Sequence, residues 1–218
     1  MEHFRYIYDL PMFDLMEEFI ILSDMKIIDP KYAKEKEICL LSTKQNSDDI
    51  LEGAGSLNID WKNAKIINLE GGVQKTIAPR FKNPKKEEDF KYLCKQFQGT
   101  LFEEVFNALK EKYNIGRIKI FRSTRNTCLS WHHDYSDRLH FPLKTQNGCY
   151  MIIGNEVLHL KQNKWYWAET TIPHTAINAS HEDRFHLVVS VLENKNTFKD
   201  LESPLWDKKQ ARQPASAV

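Results

Sequence analysis

Two histidines and an aspartate in the second half of the sequence have the types and spacing of a metal-binding triad. His132 and Asp134 are two residues apart, so in an extended strand their side chains share one face, while His133 points to the other. His174 lies 40 residues after Asp134, which leaves room for several short strands that bring the two together across a barrel. Two histidines and one carboxylate on one face suit Fe(II). We therefore predict that His132, Asp134 and His174 are metal ligands.

The His-x-Asp pattern alone is weak evidence in a chain with eight histidines. Taken singly, each of the three residues could be an ordinary polar residue on the surface of a sheet. His133 could replace His132 only if the strand register shifted by one residue, which would place the ligand pair on opposite faces. His132 is therefore the preferred ligand.

Arg184, which follows the triad in sequence, is predicted to be buried and to bind an anion. Arg184 opens an apolar strand ten residues after His174 and shares one strand face with His186 and Val188. A buried arginine is costly unless it meets an anion, and its planar guanidinium matches a carboxylate. The barrel is therefore expected to hold an acidic ligand.

The segments around these residues predict a mainly β fold with flanking α-helices. Residues 148–167 contain short strand-like runs separated by polar turns, which is typical of an antiparallel sandwich or barrel. Upstream, apolar residues recur at spacings of three and four from Phe90 to Leu109 and predict a long helix near residues 88–113. We expect one structural domain with an N-terminal α/β portion (1–116) whose helix braces the core, a catalytic core (117–192) and a C-terminal extension and tail (193–218).

Composition limits the partners and the compartment. The formal net charge of +1 argues against a strongly basic nucleic-acid-binding protein. The four cysteines form no Cys-x-x-Cys pair, so they are expected to be reduced thiols and not zinc ligands or disulfides. The N-terminus lacks the pattern of a signal peptide, and no apolar run approaches the roughly 20 residues of a membrane span. A cytoplasmic protein without membrane or nucleic-acid partners is expected.

A longer pattern resembles a known family. It consists of His132-x-Asp134, Arg138-x-His140-x-Pro142, His174, and Arg184 with the Leu-Val-Val strand that follows. This pattern, within residues 117–192, resembles the aspartyl/asparaginyl β-hydroxylase-like branch of the Fe(II)/2-oxoglutarate dioxygenases. The resemblance implies a double-stranded β-helix (jelly-roll, cupin-like) core that uses Fe(II), 2-oxoglutarate as cosubstrate and O2. It also implies hydroxylation of a C–H bond of an amino acid, free or in a peptide or protein, with release of succinate and CO2.

The resemblance also implies roles for individual residues. Arg184 would bind the distal carboxylate of 2-oxoglutarate, while Arg138 and His140 would help to hold the cosubstrate. Asn178, four residues past His174, is a candidate to orient that histidine or to reach the cosubstrate. The candidate substrate contacts are Arg122, Arg125, Tyr135 and Trp167.

Two other functions are compatible with the same residues. One is a cupin-like metalloenzyme that uses no 2-oxoglutarate, and the other is a non-catalytic jelly-roll binding module. Arg184 distinguishes the first of these, because a metalloenzyme without a dicarboxylate cosubstrate has no need for a carboxylate anchor at that position. The substrate itself, a small molecule or a peptide, cannot be read from the sequence.

Overall fold

The computed structural model describes residues 2–55, 65–68, 75–78 and 85–195, which form two α-helices and fourteen β-strands. The helices are α1 (Leu15–Asp24) and α2 (Leu101–Lys112). The strands are β1 (Phe4–Ile7), β2 (Glu37–Cys39), β3 (Leu41–Ser42), β4 (Lys65–Asn68), β5 (Lys75–Ala78), β6 (Tyr92–Leu93), β7 (Ile115–Ser123), β8 (Thr127–Cys128), β9 (Ser136–Lys144), β10 (Cys149–Ile153), β11 (Glu156–Leu158), β12 (Trp165–Ala168), β13 (His174–Asn178) and β14 (Arg184–Lys195). Short 3-10 helices lie at Tyr32–Lys34, Glu87–Asp89 and Lys95–Phe97.

Two antiparallel sheets form the body of the molecule. The larger sheet has six strands in the order β1-β12-β9-β14-β7-β2, and the smaller has four in the order β11-β10-β13-β8. Strands β3 and β6, and strands β4 and β5, form two further pairs. Most neighbours in the larger sheet are far apart in sequence, as in a jelly roll.

The face of the larger sheet that meets the helices is apolar. In β9, Leu139, Phe141 and Leu143 alternate with polar residues and are buried in the main hydrophobic core. Leu187 and Val189 of β14 lie in the same core. The helices contribute further members to it, which are Leu15, Phe19 and Leu22 of α1 and Phe102, Val105, Phe106 and Leu109 of α2. Because side chains alternate along a strand, burial of these residues against the helices places their neighbours on the face that points into the barrel.

The opposite face of the larger sheet points into the barrel and is largely polar. Tyr166 and Ala168 of β12 pack there against Met151 and Ile153 of β10, which joins the two sheets. Further apolar residues on this face are Phe121, Pro142 and Val188. Most other inward positions carry charged or polar groups, namely Arg117, Lys119, Arg138, His140, Arg184, His186 and Ser190. The structure confirms the prediction of a mainly β, jelly-roll core with flanking helices.

The helix predicted near residues 88–113 was too long, because α2 begins only at Leu101. Gly99 has a positive φ of 71°, which breaks the helical path, and the hydroxyl of Thr100 caps the helix by accepting from the N–H of Phe102. The preceding apolar residues lie in and around strand β6 and the 3-10 helix Lys95–Phe97, and their periodicity reflects burial in the same core.

The larger sheet draws edge strands from the N-terminal portion. β1 pairs with β12 and β2 pairs with β7, so both strands cover edges that residues 117–192 would leave open. The last strand continues to Lys195, and residues 196–218 of the predicted tail lie outside the described part of the chain. The division into three segments stays a prediction. In the described residues no helix is long and apolar enough to cross a membrane.

Candidate metal centre and the interior of the barrel

The structure brings the predicted triad together at the start of β13. His132 and His174 form an antiparallel bridge with N···O distances of 3.1 and 2.8 Å, and the N–H of Asp134 donates to the carbonyl of Thr170 at 2.8 Å. One ligand atom from each of His132, Asp134 and His174 lies within 4.8 Å of the others. Two metal–ligand bonds of about 2.2 Å each span about 4.4 Å, so small side-chain movements suffice to hold an ion.

Backbone carbonyls orient both histidines toward this point. Nδ1 of His132 lies 2.7 Å from the carbonyl of Ser130, and Nδ1 of His174 lies 3.0 Å from the carbonyl of Ile172. A carbonyl only accepts, so each Nδ1 carries the proton and each Nε2 is left as a lone-pair donor to a metal. This arrangement fits a divalent cation such as Fe(II). The sequence expectation that His132 and not His133 faces the site agrees with this geometry.

Charges around Asp134 keep its carboxylate ionised. Burial raises its pKa, but Arg138 and His174 outweigh that effect and hold the pKa well below its usual range. Nε of Arg138 donates to Oδ2 of Asp134 at 3.1 Å, and Nε2 of His174 lies 3.7 Å from the same oxygen. Burial lowers the pKa of His174 to about 4, so its imidazole is neutral near pH 7 and available to a metal.

Arg138 belongs to a buried ion network behind Asp134. Its guanidinium also lies 3.6 Å from Oε1 of Glu87 and donates to the hydroxyl of Ser190, which in turn donates to Oε2 of Glu87 at 2.9 Å. Glu87 meets a second arginine, Arg117, at 3.1 Å. Arg138 was predicted to help hold the cosubstrate, but its contacts are with Asp134, Glu87 and Ser190.

Glu87 and Ser190 are site residues that sequence reasoning missed. Glu87 precedes α2 in a lysine-rich segment, where an acidic residue carries no signal of burial. Ser190 shares its strand face with Arg184 and His186, and that parity was the only available clue.

Arg184 lies in the same interior but has no such partners. It is only 4% exposed, and no carboxylate in the described residues pairs with it. Its Nε has no hydrogen-bond partner there, and one Nη lies 3.5 Å from the carbonyl of Tyr150. Burial lowers its pKa from the ordinary value. A buried arginine with free donors fits an anionic ligand, as the sequence predicts.

Two neutral imidazoles accompany Arg184. His140 is 9% and His186 4% exposed, and their ring centroids are 5.8 Å apart. Both nitrogens of His140 and Nε2 of His186 lack a hydrogen-bond partner in the described residues. Burial, with the nearby charge of Arg184, lowers the pKa of His140 to about 3 and that of His186 well below its ordinary value. The interior therefore has buried polar groups whose hydrogen bonds the described residues leave unmade.

Asn178 is buried but its amide is occupied by backbone groups. Nδ2 donates to the carbonyls of Ser123 and Glu182 at 2.9 and 2.8 Å, and Oδ1 accepts from the N–H of Ser180 at 3.1 Å. These bonds hold the turn between β13 and β14 against the end of β7. Asn178 thus positions the strand that carries Arg184, and its predicted contact with the cosubstrate finds no support.

Two predicted substrate residues point away from the triad. Trp167 is packed against the main core on the helix side of the sheet, and its indole N–H donates to Asp137 at 3.1 Å. Arg122 pairs with Asp183 at 2.5 Å and lies opposite Phe185, on the other face from Arg184. Strand alternation places both on the outer face, so their predicted substrate roles gain no support.

The other two predicted substrate residues lie near the strands that carry the triad. Tyr135 follows Asp134 directly and is half-buried. Arg125 is exposed, and its backbone N–H donates to Asp183 at 3.2 Å. Both assignments stay predictions.

Comparisons with known proteins agree with this architecture. Residues 33–194 match the model of the aspartyl/asparaginyl beta-hydroxylase family. The L-proline cis-4-hydroxylase of Rhizobium meliloti (strain 1021) is 29% identical over 140 residues, which cover 59% of this chain and 46% of that protein. The chain thus spans about half the length of this curated relative.

Two bacterial proteins of known structure align with parts of this chain. An oxidoreductase of the 2OG-Fe(II) oxygenase family from Burkholderia pseudomallei is 12% identical and aligns over 89% of this chain and 87% of that chain, with a TM-score of 0.44. AerE from Microcystis aeruginosa is 18% identical over 35% of this chain and 36% of that chain, with a TM-score of 0.32. The family match covers most of the chain and includes the triad, Arg138 and Arg184. The chain belongs to the aspartyl/asparaginyl beta-hydroxylase family.

Proposed function

We propose that the protein is an Fe(II)- and 2-oxoglutarate-dependent hydroxylase that acts on a C–H bond of an amino acid, either free or within a peptide. The observation that carries the proposal is the pairing of a His-Asp-His triad with a buried, unpaired arginine inside one barrel. The triad suits Fe(II), and the arginine suits the carboxylate of a dicarboxylate cosubstrate. The name of the proline hydroxylase relative supports an amino acid as the substrate class.

Each residue contributes a defined part. His132, Asp134 and His174 would hold the metal from one side, which leaves its other positions for the cosubstrate and O2. Arg138 keeps Asp134 ionised and oriented, and the carbonyls of Ser130 and Ile172 hold the imidazole tautomers. Arg184 would bind the distal carboxylate of 2-oxoglutarate.

When bound, Fe(II) and 2-oxoglutarate would supply an oxidation that consumes O2 and 2-oxoglutarate, places one oxygen atom in the substrate hydroxyl and the other in succinate, and releases CO2. A metalloenzyme that uses no 2-oxoglutarate is the alternative, and the unpaired Arg184 argues against it.

The test is anaerobic binding followed by turnover. We expect Fe(II) plus 2-oxoglutarate to give a weak visible charge-transfer band with the wild type, and succinate release once O2 is admitted. Asp134→Ala and His174→Ala should lose both signals while they remain folded, whereas His181→Ala removes an exposed histidine and should keep them. Folded, iron-loaded wild-type protein that shows neither the band nor succinate would falsify the proposal.

A further inference from the structure

His186 is a buried polar residue that the triad and Arg184 leave without a role. It lies two residues after Arg184 on β14, so both side chains point to the inner face of the larger sheet, roughly 7 Å apart along the strand. The register confirms this side, because Val188 lies opposite the inward-facing His140. His186 therefore lines the same interior as Arg184.

No hydrogen bond in the described residues explains why a histidine is buried at position 186. The residue is 4% exposed, and its Nε2 has no hydrogen-bond partner in the described residues. A buried polar atom without a partner destabilises the folded protein, and a leucine of similar volume would avoid that cost. Such an atom is expected where a ligand completes the hydrogen bond.

The charge state of His186 matches an anionic ligand bound by Arg184. Burial and the neighbouring Arg184 keep its pKa well below the ordinary value, so the ring is neutral near pH 7. With the proton on Nε2, a neutral imidazole donates one hydrogen bond and adds no charge beside the guanidinium. A carboxylate held by the two N–H groups of an arginine fork still has lone pairs for a third donor.

We propose that His186 is a second anchor for the distal carboxylate of 2-oxoglutarate, beside Arg184. This inference rests on the proposed function. His140 is distinguished from His186 by its place in the sheet, because it lies opposite Val188, two positions farther along β14 from Arg184 than His186. His186 therefore belongs to the end of the interior that Arg184 defines, away from the metal ligands.

The experiment compares two ligands that differ only at the distal group. Protein loaded with Mn(II) under argon is titrated with 2-oxoglutarate and with 2-oxopentanoate, which has a methyl group in place of the distal carboxylate. For His186→Leu we expect 2-oxoglutarate affinity to fall about 10- to 100-fold, as for loss of a hydrogen bond to a charged group. The affinity for 2-oxopentanoate should stay within about twofold of wild type, because the missing bond is specific to the carboxylate.

Further variants separate binding from folding. His186→Gln places an amide N–H near the position of Nε2 and should recover most of the 2-oxoglutarate affinity. His186→Leu should not lower the melting temperature of the ligand-free protein, because it removes an unsatisfied polar atom. Val188→Ala, on the same face of β14, should reduce stability without changing the ratio of the two affinities.

The outcomes distinguish this inference from the proposed function. Equal loss of both ligands in His186→Leu, or no loss of either, would overturn the role of His186. If Arg184→Leu abolishes 2-oxoglutarate binding while His186→Leu does not change it, only this inference fails. If folded, metal-loaded wild-type protein does not bind 2-oxoglutarate, both fail.

Discussion

Arg138 and Arg184 are both buried arginines on the inner face of the same sheet, but their surroundings differ. Arg138, on β9, contacts the carboxylates of Asp134 and Glu87 and the hydroxyl of Ser190. Arg184, on the neighbouring β14, has no carboxylate partner in the described residues. Ser190 lies opposite Arg138 in the register, so the two arginines occupy opposite ends of the strand pair.

Arg138 is a buried cation that the protein itself neutralises, whereas Arg184 is a buried cation without a carboxylate partner in the described residues. Around Arg138, carboxylates from the protein neutralise the cation, and the network holds Asp134 of the triad in place. Around Arg184 the described residues provide no compensating anion, as expected if a bound ligand provides it. Burial alone would not have distinguished the two residues.

Removing the anion from the Arg138 network should have the largest effect on stability. Glu87→Gln leaves Arg117 and Arg138 near each other with less compensation, so we expect a loss of about 3–5 kcal/mol in the free energy of unfolding. Mn(II) affinity should also fall, because Arg138 is less firmly held against Asp134. Urea unfolding and metal titration measure these effects.

The control is Glu111→Gln, at an exposed glutamate of α2, which should change the free energy of unfolding by less than about 0.5 kcal/mol. An equally small change in Glu87→Gln would mean that the ion network does not stabilise the fold.

Removing the Arg184 cation should not destabilise the ligand-free protein, in contrast to the loss of Glu87. Arg184→Leu deletes a buried charge without a protein partner, so we expect the free energy of unfolding to stay the same or to rise by roughly 1 kcal/mol. The increase in melting temperature on addition of 2-oxoglutarate should disappear. Thermal unfolding with and without the ligand checks both statements. A loss of several kcal/mol in the ligand-free variant would show that Arg184 has a structural partner after all.

The buried histidines and the buried carboxylates of the interior should also respond to acid in different pH ranges. His140 has a folded-state pKa of about 3 against about 6.5 when unfolded, so the unfolded chain binds more protons between these values. Stability is therefore full above pH 6.5 and falls as the pH drops, by up to about 1.4 kcal/mol per pH unit for each such histidine. The pKa values of Asp134 and Glu87 are lowered, so their contribution is present above the unfolded value of about 4 and is lost only below it.

Urea unfolding between pH 7 and pH 5 tests this smallest effect. The double variant His140→Leu/His186→Leu should weaken the pH dependence by about 1–2 kcal/mol per pH unit, while Glu87→Gln should leave the slope in this range unchanged. An unchanged slope in the histidine variant would mean that these imidazoles are protonated or exposed in the folded protein.

Local sequence patterns were sufficient to propose the triad, because its residue types are distinctive and two of its three members share one strand face. His132 and Asp134 share a strand face by parity, and Arg184 opens an apolar strand that requires burial. The sequence did not assign Trp167 to a face of the sheet. Trp167 belongs to the helix-facing side because Tyr166 and Ala168 take the inner positions, and nothing in the local sequence gives that choice.

The sequence by itself determined the mainly β fold, the triad and the buried arginine, because alternation and residue chemistry are local properties. Only the tertiary structure decided which charges meet. Glu87 reaches Arg138 across 51 positions, and the start of α2 depends on Gly99 and Thr100 more than on the apolar spacing before them. A charge is paired or unpaired according to contacts between distant segments, and that contact pattern is what separates Arg138 from Arg184.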